Sequence, residues 1–225
     1  MGQMIEFPSN GTNGTGYLAE PDAGGPGVIV IQEWWGLVPH VKDVCDRFAD
    51  AGFVALAPDL YHGEATTEPD QAGKLMMALN VERAAKELSG AVDEVQRRGS
   101  GSGVGVVGYC MGGGLALYLA TLRPDAVTAA APYYGVIPWQ AAQPEYANLA
   151  AAVQGHYAAS DDFLPVDQVK ALEEQLRDLG KDAEFFIYDG TGHGFFNDSR
   201  PEAYVDTAAK LAWDRTLTLF NDRLR

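Results

Sequence analysis

One cysteine stands in a pattern that can make a thiol reactive. Cys110 has Gly108 two residues before it and Gly112 two residues after it. A β-branched run at 104–107 precedes the segment and an apolar run at 115–122 follows it, which predicts a strand, a sharp turn and a helix. A nucleophile at such a turn has a strained backbone that excludes flanking side chains. The N-terminus of the following helix favours a thiolate and a developing oxyanion. We therefore predict that Cys110 is a catalytic nucleophile.

A thiol nucleophile needs a base, and His193 is the histidine best placed to supply one. It lies in a glycine-rich turn, 192–194, after the last predicted strand. Asp161 and Asp162 follow the preceding strand, at a carboxyl end where catalytic groups gather in open α/β sheets. His193 would take the thiol proton and later activate water, while an aspartate would orient the imidazole. The spacing alone allows either aspartate to do so.

The other three histidines and the second cysteine have ordinary structural positions. His40 is predicted to start a helix, His62 follows a strand, and His156 alternates within a strand. Cys45 lies at helical spacing with three apolar residues, so that packing explains it better than chemistry.

The elements that would position the reactive residues alternate along the chain. Short β-branched or aromatic runs alternate with runs of helical period, which predicts an α/β fold with a mostly parallel central sheet and helices on both faces. Helices are predicted around 81–95, 115–122 and 166–179. The length of 225 residues fits one domain, 1–225. The predicted strands are 27–32, 53–57, 104–108, 127–133, 151–157 and 184–188.

Three further segments can be interpreted. Runs at 5–7 and 17–19, separated by Asn/Gly turns, predict a small antiparallel addition at the sheet edge. A capping box with proline at 199–202 predicts the start of a long final helix. The segment 136–149 lacks periodicity, and it could either shape a site or be a plain surface excursion.

The composition limits the kinds of molecule that the protein is expected to bind. A formal net charge of −15 without any Lys/Arg run disfavours nucleic acid and anionic membranes. No segment reaches the ~20 apolar residues of a membrane helix, and the first residues do not resemble a secretory signal, so we expect a cytoplasmic protein. The sequence has no metal-binding His/Cys cluster and no phosphate-binding glycine loop, which predicts neither metal nor organic cofactor. It does not indicate an oligomeric state.

Five motifs together resemble the dienelactone hydrolase family of α/β-hydrolases. The resemblance extends from about residue 28 to the C-terminus, and its most specific part is the cysteine-containing turn with the upstream Gln-Glu pair. The motifs are Gln-Glu-Trp-Trp-Gly at 32–36, Ala-Pro-Asp-Leu-Tyr at 57–61, Gly-Tyr-Cys-Met-Gly-Gly at 108–113, Tyr-Tyr-Gly at 133–135 and Gly-His-Gly-Phe at 192–195.

The resemblance implies roles for particular residues. Glu33 matches the family's buried glutamate, which holds the resting thiol until substrate binds. The backbone N–H groups of Trp34 and Met111 would form the oxyanion hole. Tyr134 matches a tyrosine that lines the pocket. The family's catalytic aspartate stands four residues before a proline, which selects Asp161 over its neighbour.

The chain differs from the family at a position that binds the carboxylate of the substrate. Dienelactone hydrolases bind that group with arginines, one of them four residues beyond the histidine, where this chain has Asn197. A neutral amide cannot make the bidentate charged pair. Arg83 and Arg200 could substitute, but their positions on a helix and at a helix cap favour solvated surface charges. We therefore expect preference for neutral or differently shaped substrates.

The function that follows is hydrolysis of a small ester or lactone through a cysteinyl acyl-enzyme. A broad carboxylesterase and a thioesterase are the enzymatic alternatives. A binding protein on the same fold is a third, and the intact nucleophile, histidine, aspartate and glycines argue against it.

Overall fold

An eight-stranded sheet runs through the protein, in a computed structural model that describes residues 2–9, 11–135 and 137–225. The strand order is β1-β2-β4-β3-β5-β6-β7-β8. Strands β3 to β8 are parallel to their neighbours within this group, while β1 and β2 pair antiparallel at one edge. The strands are Gln3–Ser9, Thr12–Ala19, Gly27–Ile31, Val54–Pro58, Val104–Tyr109, Val127–Tyr133, Ala152–Ser160 and Ala183–Gly192.

Helices cover both faces of this sheet and divide its core into two clusters. Along β3, Val28 and Val30 point into the cluster beneath α1 and α6, whereas Ile29 and Ile31 point into the cluster beneath α3, α4 and α5. Strand side chains alternate between faces, so an apolar run buries both sides. The helices α1 to α6 are Pro39–Asp50, Pro69–Ala78, Val81–Arg98, Met111–Leu122, Val166–Asp178 and Asp206–Leu224.

The predicted fold class is confirmed, as are the six sheet strands to within a few residues and the antiparallel edge. Strands β7 and β8 run further than predicted, to Ser160 and Gly192. Helix α2 was not predicted, although Pro69 at its first position is a helix-start signal.

The predicted start of the final helix at 199–202 is wrong, because α6 begins at Asp206. The hydroxyl and N–H of Ser199 both donate to Asn197 Oδ1, at 2.5 and 3.1 Å, so Ser199 is engaged in a local turn and does not cap a helix. The Val205 N–H then bonds back to Phe195 O, which closes the segment as a loop.

The aperiodic segment packs against the body of the protein. Its first residue, Val136, lies outside the described residues. From 137 onward it contains two short 3₁₀ turns, and Ala142 and Leu149 are buried in the core. The Trp139 indole N–H donates to the backbone oxygen of Met76 on α2, at 3.0 Å. The segment is therefore tied to α2, and the interpretation as a plain surface excursion does not hold. None of the helices described is long and apolar enough to cross a membrane.

Candidate active site

Cys110 occupies a strained turn between β5 and α4. Its backbone has φ 55° and ψ −122°, a left-handed conformation that costs a residue with a side chain about 1–3 kcal/mol. A Cβ on Gly108 would lie 1.9 Å from Gly112 O, and one on Gly112 would lie 2.4 Å from Gln32 O. Neither contact is sterically possible, so Gly108 is required for the chain to turn this tightly and Gly112 for the start of the following helix to approach the end of β3. The Cys110 thiol is thereby presented at the carboxyl edge of the sheet.

Asp161 and His193 lie side by side at the same edge. The two side chains are joined by a 2.8 Å contact between Asp161 Oδ2 and His193 Nδ1. The other oxygen, Asp161 Oδ1, accepts the backbone N–H groups of Phe163 and Leu164, at 2.9 and 3.2 Å. Asp162 is exposed. Of the two adjacent acids, it is therefore Asp161 that meets the histidine, with its carboxylate fixed by its own loop.

The imidazole of His193 also contacts Cys110. Burial lowers the pKa of His193, but hydrogen bonds to Asp161 and Cys110, together with the charges of both groups, outweigh it and raise the pKa to about 10. The ring therefore carries its second proton at neutral pH. An imidazolium beside a sulfur is the arrangement that favours a nucleophilic thiolate.

Glu33 is buried beside this group and is held by two neutral side chains. Its Oε1 accepts the Tyr134 hydroxyl at 3.1 Å, and its Oε2 accepts the Asn197 amide at 2.7 Å. Burial, and next the charge of Glu33, raise the pKa of Tyr134 well above its usual value, so the phenol stays a donor. Asn197 thus serves as an anchor for Glu33, a partnership that its sequence position did not suggest.

Tyr134 differs from its expected position in the pocket wall. It is fully buried, and its ring packs edge-on against His193 with the centroids 5.0 Å apart. It lies behind His193 and Glu33, outside the lining of the pocket that opens on Cys110.

The expected oxyanion donors belong to the two segments next to Cys110. Met111 is the first residue of α4, where backbone N–H groups have no acceptor within the helix. Trp34 follows Glu33 in the turn after β3, and among the described residues its N–H makes no backbone hydrogen bond. Both groups are available to a developing negative charge.

A pocket of about 190 Å³ opens on Cys110. Trp34 and Trp35 form part of its wall. Phe163 also lines it, with its ring 4.9 Å from that of His193 and its side chain 62% exposed. Phe163 was not predicted as a site residue, although its place between Asp161 and the following proline was a signal.

Arg200 also lines the pocket, which corrects its interpretation as a solvated surface charge. Its guanidinium lies over the Trp35 ring, 4.5 Å from the centroid, and pairs with Glu202 at 2.6 Å. Glu202 lines the same pocket, so the local charge is balanced. Arg83 behaves as expected, because it pairs with Glu87 on α3 and lies outside the Cys110 pocket.

The remaining histidines and Cys45 have structural surroundings. His40 contacts Asp198 at 3.1 Å near the start of α1, and His62 contacts Glu87 at 2.9 Å. His156 is fully buried and bonded to Tyr188 and Thr216. Cys45 is fully buried in the cluster beneath α1 and α6. Across the described part of the chain, no group of three or more His, Cys, Asp or Glu side chains could hold a metal ion.

A strained turn between a central strand and its following helix, on a mostly parallel sheet with an acid and then a histidine on later strands, defines the α/β-hydrolases. The protein has this fold.

Comparison with known proteins identifies the family. The sequence model of the dienelactone hydrolase family matches residues 15–224, and the chain belongs to that family. It is 40% identical to "Protein usf" of Aquifex pyrophilus and 36% identical to a "Putative carboxymethylenebutenolidase" of Aquifex aeolicus, with 100% of both chains covered in each case. A crystal structure of a "Putative Dienelactone Hydrolase" from Klebsiella pneumoniae superposes with a TM-score of 0.89, at 29% identity over 98% of each chain. The chain is therefore a carboxylic ester hydrolase of the dienelactone hydrolase type.

Proposed function

We propose that this protein hydrolyses small esters or lactones through an acyl-enzyme on Cys110, with His193 as acid and base and Asp161 as its orienting partner. The observation that carries the proposal is His193, which contacts Asp161 through Nδ1 and Cys110 as well, and whose pKa is raised to about 10. This arrangement suits a thiolate nucleophile beside an imidazolium acid.

The reaction would proceed in two halves. The Cys110 thiolate attacks the carbonyl carbon, and the Trp34 and Met111 N–H groups stabilise the oxyanion. The intermediate collapses, the C–O bond to the alcohol breaks, and His193 gives its proton to the departing oxygen. Water, deprotonated by His193, then attacks the thioester and releases the carboxylic acid and the thiolate. With a lactone, the ring C–O bond breaks in the first half, the new hydroxyl stays tethered to the acyl group, and the second half releases a single hydroxy acid.

Glu33 would control the reactivity of Cys110. In the family resemblance it holds the resting thiol, and both it and Cys110 line the same pocket. Its two hydrogen bonds, from Tyr134 and Asn197, support a carboxylate held in a fixed position in the wall of that pocket. Tyr134 and Asn197 would then serve the site through Glu33.

We further propose that uncharged substrates are preferred. The family's arginine position is Asn197, which is already engaged with Glu33. The one arginine that lines the pocket, among the residues described, is Arg200, and Glu202 neutralises it. A carboxylated lactone would therefore lack a free charged partner, a loss of about 1.5–3 kcal/mol, or roughly ten- to a hundredfold in kcat/KM.

The decisive experiment follows p-nitrophenyl acetate hydrolysis in the wild-type protein and in Cys110→Ala. We expect the variant to lose at least about 10³-fold in kcat, since a missing nucleophile removes the covalent route. Rapid quenching and intact mass spectrometry of the wild type should detect one added acetyl group on Cys110. Unchanged turnover in a folded Cys110→Ala protein would refute the mechanism.

A further inference from the structure

One carboxylate fastens the segment after His193 to helix α1. Asp198 Oδ1 lies 3.1 Å from His40 Nδ1, and Asp198 Oδ2 pairs with the guanidinium of Arg47. His40 and Arg47 are about two helical turns apart on α1, so their side chains lie on the same face of the helix. We call the three residues His40, Arg47 and Asp198 the α1 clamp.

The α1 clamp is built from charged groups and is partly shielded from water. Burial raises the pKa of Asp198, but the hydrogen bond and the charge of Arg47, followed by those of His40, outweigh burial and lower it. The carboxylate is therefore ionised at neutral pH, and hydrogen bonds to an ionised group are the stronger kind. The side chain of His40 is 1% exposed and packs edge-on against the ring of Phe196, with the centroids 6.2 Å apart. These contacts give Asp198 a defined position on α1.

The residue before Asp198 is the one that anchors Glu33. The backbone N–H of Ser199 can only donate, so the atom that it meets at 3.1 Å is the Oδ1 oxygen of Asn197. The other end of that amide is therefore the Nδ2 donor, which meets Glu33 Oε2 at 2.7 Å. Asn197 is 2% exposed, so bulk water does not compete for this hydrogen bond.

Two anchors hold Asn197, one on each side along the chain. Before it, the ring of Phe196 stacks on that of Tyr109, with the centroids 5.0 Å apart, and the Asn197 N–H donates to Gly194 O at 2.9 Å. After it, Asp198 is held by the α1 clamp. Because Asn197 and Asp198 share a rigid peptide bond, the position of the clamped carboxylate limits where the Asn197 amide can reach.

We propose that His40 and Asp198 are positioning residues of this hydrolase. By fixing the Asn197 amide, they fix the Glu33 carboxylate in the wall of the Cys110 pocket. The inference rests on the proposed hydrolysis and on the role proposed there for Glu33. A group that controls a nucleophile must be held within about 0.5 Å of its working position, and supporting contacts of this kind supply that precision. Loss of the α1 clamp should therefore affect turnover more than substrate binding.

The first experiment compares kcat and KM for p-nitrophenyl acetate. His40→Phe keeps an aromatic ring and removes the donor to Asp198, and we expect kcat to fall about tenfold while KM changes less than about twofold. His40→Asn restores an N–H donor near the position of Nδ1 and should recover most of the loss. Asp43→Asn is the matched control. It removes the other carboxylate that pairs with Arg47 and leaves the α1 clamp intact, so kcat should not change.

A second experiment separates this role from a general loosening of the segment that carries His193. In an Asn197→Ala background the link to Glu33 is already lost, so adding His40→Phe should lower kcat by less than about a further twofold. If the clamp only held the segment together, the two effects would be independent and would multiply.

Asp198→Asn repeats both tests from the other side of the α1 clamp, at a side chain that is 34% exposed, and should behave as His40→Phe does. A circular dichroism melt of each variant checks that it is folded. Effects that multiply in the Asn197→Ala background, or an unchanged kcat in His40→Phe and Asp198→Asn, would overturn the inference and leave ester hydrolysis in place. Turnover that survives in Cys110→Ala would instead refute the proposed mechanism.

Discussion

Ser160 and Gly192 are paired residues at the last rung of the ladder between β7 and β8, beyond a register shift that begins at Ala158. The next residue on the first strand is Asp161, and the next on the second is His193. Since parallel neighbours end at the same edge of a sheet, this pairing sets the acid and the histidine side by side before any side-chain contact forms. The 2.8 Å contact between them therefore follows from strand register as well as from local turns.

Iodoacetamide should label Cys110 well before Cys45. The first thiol lines an open pocket, whereas the second is fully buried and its pKa is raised by burial and then by the charge of Asp46. Peptide mapping over time should show activity lost in step with Cys110 labelling. Full activity after complete labelling of Cys110 would refute its role.

The pH dependence of Cys110 labelling should reflect the pKa of His193. Its pKa is raised to about 10, so the ring should stay an imidazolium beside Cys110 up to about that pH. We expect the alkylation rate constant to change little between pH 7 and 9, whereas a free cysteine with a pKa of about 8.5 gains severalfold over the same range. A steep rise like that of the free amino acid would show that the proton resides on sulfur.

Asp161→Asn should lower kcat by about 10²- to 10⁴-fold, because the carboxylate that orients His193 and stabilises its imidazolium is lost. It should also lower the pH at which the alkylation rate constant of Cys110 begins to change, since Asp161 helps to raise the pKa of His193. Asp162→Asn is the matched control, an adjacent and exposed acid, and should keep nearly full activity. The reverse ranking would give the orienting role to Asp162.

Glu202→Gln should increase the relative rate on carboxylated substrates. The substitution leaves Arg200 positively charged and unpaired in the pocket. Because Arg200 is about one-third exposed, solvent screens the gain, and we expect a rise of roughly three- to fivefold in kcat/KM for a carboxylated lactone relative to its methyl ester. Glu184→Gln makes the same charge change on the exposed surface of β8 and should not alter the ratio. An unchanged ratio in Glu202→Gln would exclude Arg200 from substrate selection.

His156 should make the protein sensitive to acid. Burial, and next the charge of Arg215, lower its pKa from 6.5 to about 3, so the folded state resists protonation more than the unfolded state does. The resulting contribution to stability is complete above pH 6.5 and is lost as the pH falls from 6.5 towards 3. We expect the free energy of unfolding to decline by up to about 1.4 kcal/mol per pH unit more steeply in the wild type than in His156→Gln. Parallel urea titrations from pH 7 to pH 4 measure this difference, and equal slopes would contradict it.

The sequence predicted the parts of the site that depend on local pattern. The glycines around Cys110 and the strand order were enough to locate the nucleophile turn and to bring its partners to one edge. Arg200 was placed wrongly because the capping box at 199–202 is a local signal, and the hydrogen bonds of Ser199 to Asn197 override it. Those bonds depend on Glu33, which is 164 residues away from Asn197 in the chain and holds its amide. No local pattern carries that information.

The hydrogen bond from Trp139 to the backbone of Met76 joins two elements that can change without moving Cys110, Asp161 or His193. It joins the 137–149 segment to α2, and neither element supplies the nucleophile, the acid or the histidine. Insertions or exchanges in this paired unit would reshape the small cleft that Met76 lines beside Cys110, while the strand ends that carry the reactive groups stay in register. Duplicated copies of such a gene could diverge towards new substrates by changing this unit alone, and a combinatorial library for directed evolution would best be confined to it.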